Sequence, residues 1–396
     1  VRILFLTHRL PYAPNRGDRI YAYYLLRHMR TFADVDLVSL VHDDEEAAHV
    51  DETRALATTV TGVRVPRVRS LVRAAFALPT ATPLSHVLLD GPDLQPTVEL
   101  IVREHPPDVV LAFCTGIAHV VVRPPLDRFP LVSDMVDVDS AKWAALARTS
   151  GAPLSWIYQR EARRLAEFEV AITRRAFATI LTSEKERDTL LASVPGARIE
   201  VMHGVEADAL RPVGPPVDSE TVVFCGVMNY PPNEEGAVWL AREVWPIVRR
   251  ARPAARLELV GSRPTRQVRE LANAAENIIV TGHVPDVRPY LWSAAVAAAP
   301  LQTARGVQNK VLEAVAAGLP AVVTPLVLEG VPIEIQPACI VGGSADAFAK
   351  ALIAVLGQSP SERRGLAERA DVAAMTWERQ LAPLEGLIRA AVQRHN

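Results

Sequence analysis

The sequence predicts two α/β domains in tandem, each a parallel sheet wound with helices. Short apolar runs alternate with helix-like segments from end to end, as in successive β-α-β units. Several runs are apolar on both faces, as strands covered by helices on two sides must be. The alternation breaks at RPVGPPVDSE (211–220), where three prolines and a glycine in ten residues make a linker. At 396 residues, the chain is also longer than one hydrophobic core ordinarily supports.

In the first half the strands read RILFLT (2–7), VDLVSLV (35–41), DVVLAF (108–113), LVSDM (131–135), ATILTS (178–183) and IEVM (199–202). Helices are expected between them over 19–31, 94–104, 154–176 and 184–192. After the linker come TVVFCG (221–226), RLELVG (256–261), NIIVTG (277–282), AAVAAAP (294–300), AVVT (321–324) and ACIV (338–341). The result is two Rossmann-like domains, 1–213 and 214–374, and a terminal helix within 375–396 with Pro383 as a kink. Two such domains facing each other form a cleft, the default place for a ligand.

Composition narrows the function. Hydrophobic residues make up 49% and charged ones 22%, ordinary for a globular protein, and a formal net charge of −2 does not suit a general nucleic-acid binder. The three cysteines, Cys114, Cys225 and Cys339, are too scattered for a metal spacing or a disulfide framework, which suggests a reducing compartment. VRILFLTHRLP at the N-terminus reads as a strand rather than a leader, and no apolar run reaches membrane-span length. The expected location is cytoplasmic, with peripheral contact at the inner face of the membrane open. RVPRVRSLVR (64–73) carries four arginines among apolar residues, which fits either an interfacial segment for an anionic membrane or a solvated surface.

The loops after the strands hold the candidate site residues. ARGVQNKVLEAVAAGLP (304–320) reads as a loop entering a helix from Val307 to Ala317, stopped by Gly318 and Pro320. Gly306 would let an anion approach the N–H groups of Val307 and Gln308. Lys310 and Glu313 share its face, and Glu313 lies about 10 Å along the axis, the reach from a diphosphate to ribose hydroxyls. The competing reading is a solvated Lys310–Glu313 ion pair. CGVMNYPPNEEG (225–236) leads into a helix with Asn233 as N-cap, and Gly226 permits close backbone approach. VGSRPT (260–265) and TGHVPD (281–286) repeat this strand, glycine, loop and helix design. In the first domain, Gly17 and Asp18 of GDR (17–19) open a helix, where Asp18 caps or meets substrate. DMVDVDS (134–140) places Asp134, Asp137 and Asp139 in one turn, more acids than a cap needs; Asp139 or Ser140 would cap a helix beginning near Lys142, and another acid would act on a hydroxyl. A metal site there lacks a supporting His or acid cluster.

Together RLPYAPNRGDRIYAYYLLRHM (9–29), DMVDVDSAKW (134–143), FCGVMNYPPNEEG (224–236), ARGVQNKVLEAVAAGLP (304–320) and TWERQL (376–381) resemble retaining glycosyltransferases of the GT-B fold, family 4. Within that family they look like the branch of sugar transferases associated with bacterial exopolysaccharide and exosortase (PEP-CTERM) gene clusters. The resemblance covers nearly the whole chain. It implies an N-terminal acceptor domain, a C-terminal nucleotide-sugar domain and a last helix (375–396) that crosses back to the first domain.

It also implies a nucleotide-sugar co-substrate, UDP- or GDP-linked, no further cofactor, no metal, and a glycan, lipid-linked or small-molecule acceptor. In the family signature, a glutamate, seven residues and a second glutamate, the second falls on Glu313, expected on the ribose, and the first on Arg305. The family's Arg and Lys after the first C-domain strand are missing from GVMNYPPN (226–233), so Arg305 and Lys310 are expected to neutralise the diphosphate. Asn229, Arg263, His283 and Val284 join Gly226, Gly306, Val307 and Gln308 as donor-side candidates, Val284 beside the base. The family's catalytic His has no counterpart in MVDVD (135–139), where Asp137 is the substitute; His119, in GIAHVVV, is the second candidate or a structural histidine. The alternatives are a sugar-nucleotide 2-epimerase of the same fold and a non-catalytic partner in polysaccharide assembly.

Overall fold

The computed structural model describes residues 1–12, 17–274, 277–304 and 306–395. The chain divides into two compact units, Val1–His203 with Gln380–Asn396, and Gly204–Arg379. The division falls before the proline-rich stretch at 211–220, because packing rather than proline content sets it. Val205 and Leu210 are already buried in the core of the second unit. Trp292 Nε1 donates to the Leu210 carbonyl at 2.8 Å, and Val205 N donates to the Met375 carbonyl at 2.8 Å.

The first unit is built on β1 (Arg2–Thr7), β2 (Asp34–Val41), β3 (Thr59–Arg64), β4 (Val109–Phe113), β5 (Leu131–Val136), β6 (Ala178–Leu181) and β7 (Ile199–Val201). They form one parallel sheet in the order β3-β2-β1-β4-β5-β6-β7. β3, TVTGVR, is a strand that apolar runs do not announce. It lies at the sheet edge and is mostly half-exposed, so it needs no continuous apolar run. The chain order reverses between β1 and β4, and the loops after those strands diverge there.

The terminal segment is two helices, Trp377–Leu381 and Pro383–His395, rather than one kinked helix. Pro383 opens the second, at the position where its missing N–H costs nothing. Leu384, Leu387, Ile388 and Ala391 form its buried stripe, and the helix packs on β4 and β5.

The second unit holds β8 (Thr221–Cys225), β9 (Arg256–Val260), β10 (Ile278–Gly282), β11 (Val296–Ala299), β12 (Ala321–Val323) and β13 (Cys339–Val341). Its parallel sheet runs β10-β9-β8-β11-β12-β13, with the reversal between β8 and β11. The helix expected to follow an Asn233 cap begins earlier, at Pro231, and runs as α-helix to Trp239. It widens to a π-turn at Leu240–Val244 and resumes as Trp245–Ala251. Pro246 explains the widening, since it has no N–H for the regular ladder and its ring crowds the preceding turn.

Candidate active site

In the second unit, β8 and β11 are neighbours at the reversal, so the loops after them start side by side and part to opposite faces, leaving a crevice. Gly226, after β8, donates its N–H to the Val260 carbonyl at 3.0 Å. Gly261, after β9, has φ 149°, and a Cβ there would lie 1.8 Å from the Gly226 carbonyl oxygen. A Cβ on Gly226 would lie 2.7 Å from Asn233 Nδ2. Both glycines are therefore required by backbone and amide packing, and the loops approach each other as no side chain would allow.

Asn233 is not the N-cap of its helix. Tyr230 holds that position, and Asn233 is buried in the first turn. Its Nδ2 donates to the Val227 carbonyl at 3.0 Å, and its Oδ1 accepts from Lys310 Nζ at 2.5 Å. The Lys310 ammonium also lies 5.1 Å from the centroid of the Phe224 ring. Lys310 thus turns to an amide and an aromatic face, and no salt bridge joins it to Glu313 among the described residues. Burial pulls the ammonium down to about 8, against the opposing fields of Cys225 and Glu313. Burial raises the Glu313 carboxyl above the usual carboxylate range, and the Lys310 charge pulls it back. The Cys225 thiol beside them is pushed up to about 12 by burial and the Glu313 charge, with Lys310 opposing, so it is an inert neighbour.

The carrier helix is Asn309–Ala316, shorter than Val307–Ala317, with Gln308 as its N-cap residue and Gly318 in left-handed backbone just beyond its end. The first-turn N–H groups consequently belong to Asn309 and Lys310, whereas Val307 is half-buried on the core and precedes the helix. Gly306 has φ 58°, and its carbonyl oxygen would be 2.3 Å from a Cβ on Gly330. The glycine is accordingly demanded by the backbone itself. Arg305 lies outside the described residues. Asn229, Arg263 and His283 are exposed on the loops after β8, β9 and β10, Arg263 in left-handed backbone at φ 55°. Val284 is half-buried against the core.

In the first unit, Asp134 is on β5 and fully buried. Burial pushes its carboxyl up to about 7, opposed by the Tyr21 hydroxyl and by Val136 N–H, which donates to Oδ1 at 3.0 Å, and reinforced by the charge of Asp137. Cys114 N donates to the Asp134 carbonyl at 2.7 Å. Cys114 (φ 81°) and Val136 (φ 67°) both adopt left-handed backbone, and β5 slips register against β6 between Asp134 and Val136. Such strain on non-glycine residues, one of them β-branched, persists only where the surroundings impose it.

Asp137 is half-buried and accepts from Thr182 Oγ1 at 3.2 Å. Asp139 begins the helix Asp139–Thr149, three residues earlier than Lys142, but neither it nor Ser140 caps it. Two buried glutamates do so: Glu186 accepts from Val138 N at 2.8 Å, and Glu169 from Ser140 N at 2.9 Å and from the Ser140 hydroxyl. These carboxylates come from helices Leu154–Arg175 and Glu184–Ser193. Burial raises the Asp139 carboxyl, with Lys142 opposing, Asp137 reinforcing and His8 opposing. His8 was not among the sequence candidates. It follows β1 at the reversal point and stacks on Phe113, centroids 6.0 Å apart; its only sequence signal is that position.

His119 belongs to a different group. Its Nδ1 lies 2.9 Å from the Gly116 carbonyl, its Nε2 3.8 Å from Asp90 Oδ1, and its ring stacks on His86 at 5.1 Å. Gly17 and Asp18 open the helix Gly17–Met29; the Asp18 side chain lies outside the described residues. Among the described residues, no three His, Cys, Asp or Glu side chains are grouped as a metal site would need, and no helix is long and apolar enough to cross a membrane.

Residues 219–358 match the protein-family model described as Glycosyl transferases group 1. The whole chain is similar in fold to Alr3699/HepE of Anabaena, solved in complex with UDP and glucose: TM-score 0.67, 14% identity, 98% of this chain and 99% of that chain covered. It is similar to WaaG, described as a glycosyltransferase involved in lipopolysaccharide biosynthesis: TM-score 0.63, 18% identity, 98% of each chain. A structure from E. coli, described as trehalose-6-phosphate bound with UDP-2-fluoro glucose, gives TM-score 0.68 at 13% identity, covering 98% and 99%. No curated protein matches the chain in sequence. The fold is GT-B, and with the matched domain the protein is a glycosyltransferase.

Proposed function

We propose that the chain is a retaining, family 4 enzyme that moves a sugar from a UDP- or GDP-linked donor to a glycan, lipid-linked or small-molecule acceptor in the cytoplasm, within bacterial exopolysaccharide synthesis. The observation that carries the reading is Lys310, fixed by Asn233 and Phe224 and followed one turn later by the half-buried carboxyl of Glu313. A desolvated cation with no carboxylate bonded to it suits a diphosphate. A carboxylate about 4.5 Å further along the helix axis suits the two hydroxyls of a ribose. Arg305 is assigned to the same diphosphate, the Gly306 and Gly226 loops to its approach, and Asn229 and Arg263 to the phosphate and sugar side. His283 and Val284 are assigned to the base.

In the mechanism proposed, the acceptor hydroxyl attacks the anomeric carbon on the face from which the nucleoside diphosphate leaves. The new C–O bond forms as the bond to the diphosphate breaks, and a phosphate oxygen takes the hydroxyl proton. Lys310 stabilises the charge that gathers on the leaving group, a role that needs no divalent ion. Asp137 is assigned the part that the resemblance gives to the family's histidine, and Asp134 and Asp139 are assigned to the acceptor side.

A thermal-shift panel of UDP, GDP and their sugars tests the donor, since a ligand that binds only the folded state raises Tm by mass action. Nucleoside diphosphate release is then followed with and without acceptor and in EDTA, with NMR of the product anomer. No shift with any nucleotide would sink the donor assignment. An inverted anomer would sink the retaining mechanism, and loss of turnover in EDTA the metal-free one. Sugar epimerised without acceptor would mark a 2-epimerase, and absence of turnover despite binding a non-catalytic partner.

A further inference from the structure

The helix Arg67–Ala77 is apolar on the side that faces water. Ser70 and Ala74 form its buried edge, against helix Leu84–Leu88. Val68 (76% exposed), Leu71 (55%), Val72 (53%) and Phe76 (78%) point the other way. At 100° per residue these four span an arc of about 140° opposite the buried edge. Arg67 borders the arc on one side and Arg69 on the other, and the helix has no acid. Arg64 is paired with Asp44 at 2.6 Å and Arg73 with Asp90 at 2.8 Å, whereas Arg67 and Arg69 have no carboxylate partner among the described residues.

The helix is also held firmly. Arg160 donates to the carbonyls of Ala77 and Leu78 at its end and of Thr80 and Thr82 just beyond. One turn before Arg160 on the same helix stands Trp156, 71% exposed. A fixed apolar stripe bordered by arginines, with an exposed indole one turn from the arginine that holds its end, has the chemistry of a segment lying in the headgroup layer.

We propose that this face docks on an anionic lipid bilayer, Val68, Leu71, Val72 and Phe76 entering the acyl boundary and Arg67 and Arg69 meeting lipid phosphates. A second copy on the same stripe would bring like-charged arginines together along both borders, whereas an anionic surface complements them. The inference stands apart from the transferase reading, and its assay contains no nucleotide sugar.

Co-sedimentation of the full chain with vesicles of about 30 mol% phosphatidylglycerol in phosphatidylcholine, against phosphatidylcholine alone, tests it. Binding at least about tenfold tighter to the anionic vesicles and weakening with salt is expected. Leu71→Ser/Phe76→Ser is expected to lower binding about tenfold or more, and Arg67→Gln/Arg69→Gln to erase most of the anionic preference. All four positions are exposed, so unchanged circular dichroism and Tm are expected; if the serine pair fails to fold, the glutamine pair still decides. Failure of the wild type to bind anionic vesicles would overturn the proposal, as would unchanged binding by the variants. A dimer in ultracentrifugation that Leu71→Ser/Phe76→Ser dissociates, without vesicle binding, would reassign the face to a second copy.

Discussion

Lys310 Nζ lies 2.5 Å from Asn233 Oδ1 although the two residues are 77 positions apart, and the same ammonium rests over the ring of Phe224. The contact anchors a cation without neutralising it. Lys310→Met is expected to lower kcat/KM by ~10²–10³, and Asn233→Ala by about tenfold, with little change in Tm for the first. Because burial holds the ammonium at about 8, donor affinity should fall as pH rises through that value. Titration calorimetry from about pH 6 to about pH 10 should show that limb in the wild type and not in Lys310→Met.

Glu313 is assigned to the ribose rather than the phosphates, and the two roles separate cleanly. Glu313→Gln should weaken binding of a nucleoside diphosphate by about 10- to 100-fold, the worth of one or two charge-assisted hydrogen bonds. It should leave affinity for the 2′,3′-dideoxy analogue nearly unchanged. Equal losses for both ligands would remove the ribose assignment.

Asp134 is buried and protonates more readily in the folded chain, at about 7, than a carboxylate does when unfolded. Between its unfolded and folded pKa values the native state binds the extra proton, so stability falls as pH rises from about 4 to about 7. Glu169, also held at about 7, adds to the same slope. Asp134→Asn removes one contribution and should stabilise the protein by ~1–3 kcal/mol at about pH 8, with little effect at about pH 4. Urea denaturation at the two pH values measures both.

Gly261→Ala should be the most damaging single methyl in the second unit, because its Cβ would fall 1.8 Å from the Gly226 carbonyl oxygen in backbone at φ 149°. A loss of more than ~3 kcal/mol is expected, from overpacking and backbone strain together. At Gly282, with φ 72° and open space around it, alanine should cost only about 1 kcal/mol. Comparing the Tm of the two variants tests whether the close approach of the loops is required.

The fold was largely legible because parallel strands covered on both faces leave continuous apolar runs, and β1, β4 and β8 stand where such runs predict them. β3 was not, since an edge strand buries little. Lys310 and Glu313 were legible as neighbours because helical spacing puts them on one face. Asn233 was misread as a cap, since Asn before a helical stretch has that local meaning, and its true partners are distant in sequence. The acid-rich turn at 134–140 was visible, but the Glu169 and Glu186 carboxylates that accept its backbone N–H groups were not, since they lie 29 and 48 positions away.

The sequence by itself determined the alternation of strands and helices, the glycines at strand ends and the helical register that pairs Lys310 with Glu313, because these depend on residues a few positions apart. Only the tertiary structure decided what each polar group bonds to. It turned Lys310 to Asn233 and Phe224, sent His119 to Asp90 and His86, and brought His8 into the field of Asp139. It also left the apolar side of Arg67–Ala77 facing water. Those outcomes depend on which strand ends the sheet order brings together and on how deeply each group is desolvated, and neither is a property of local sequence.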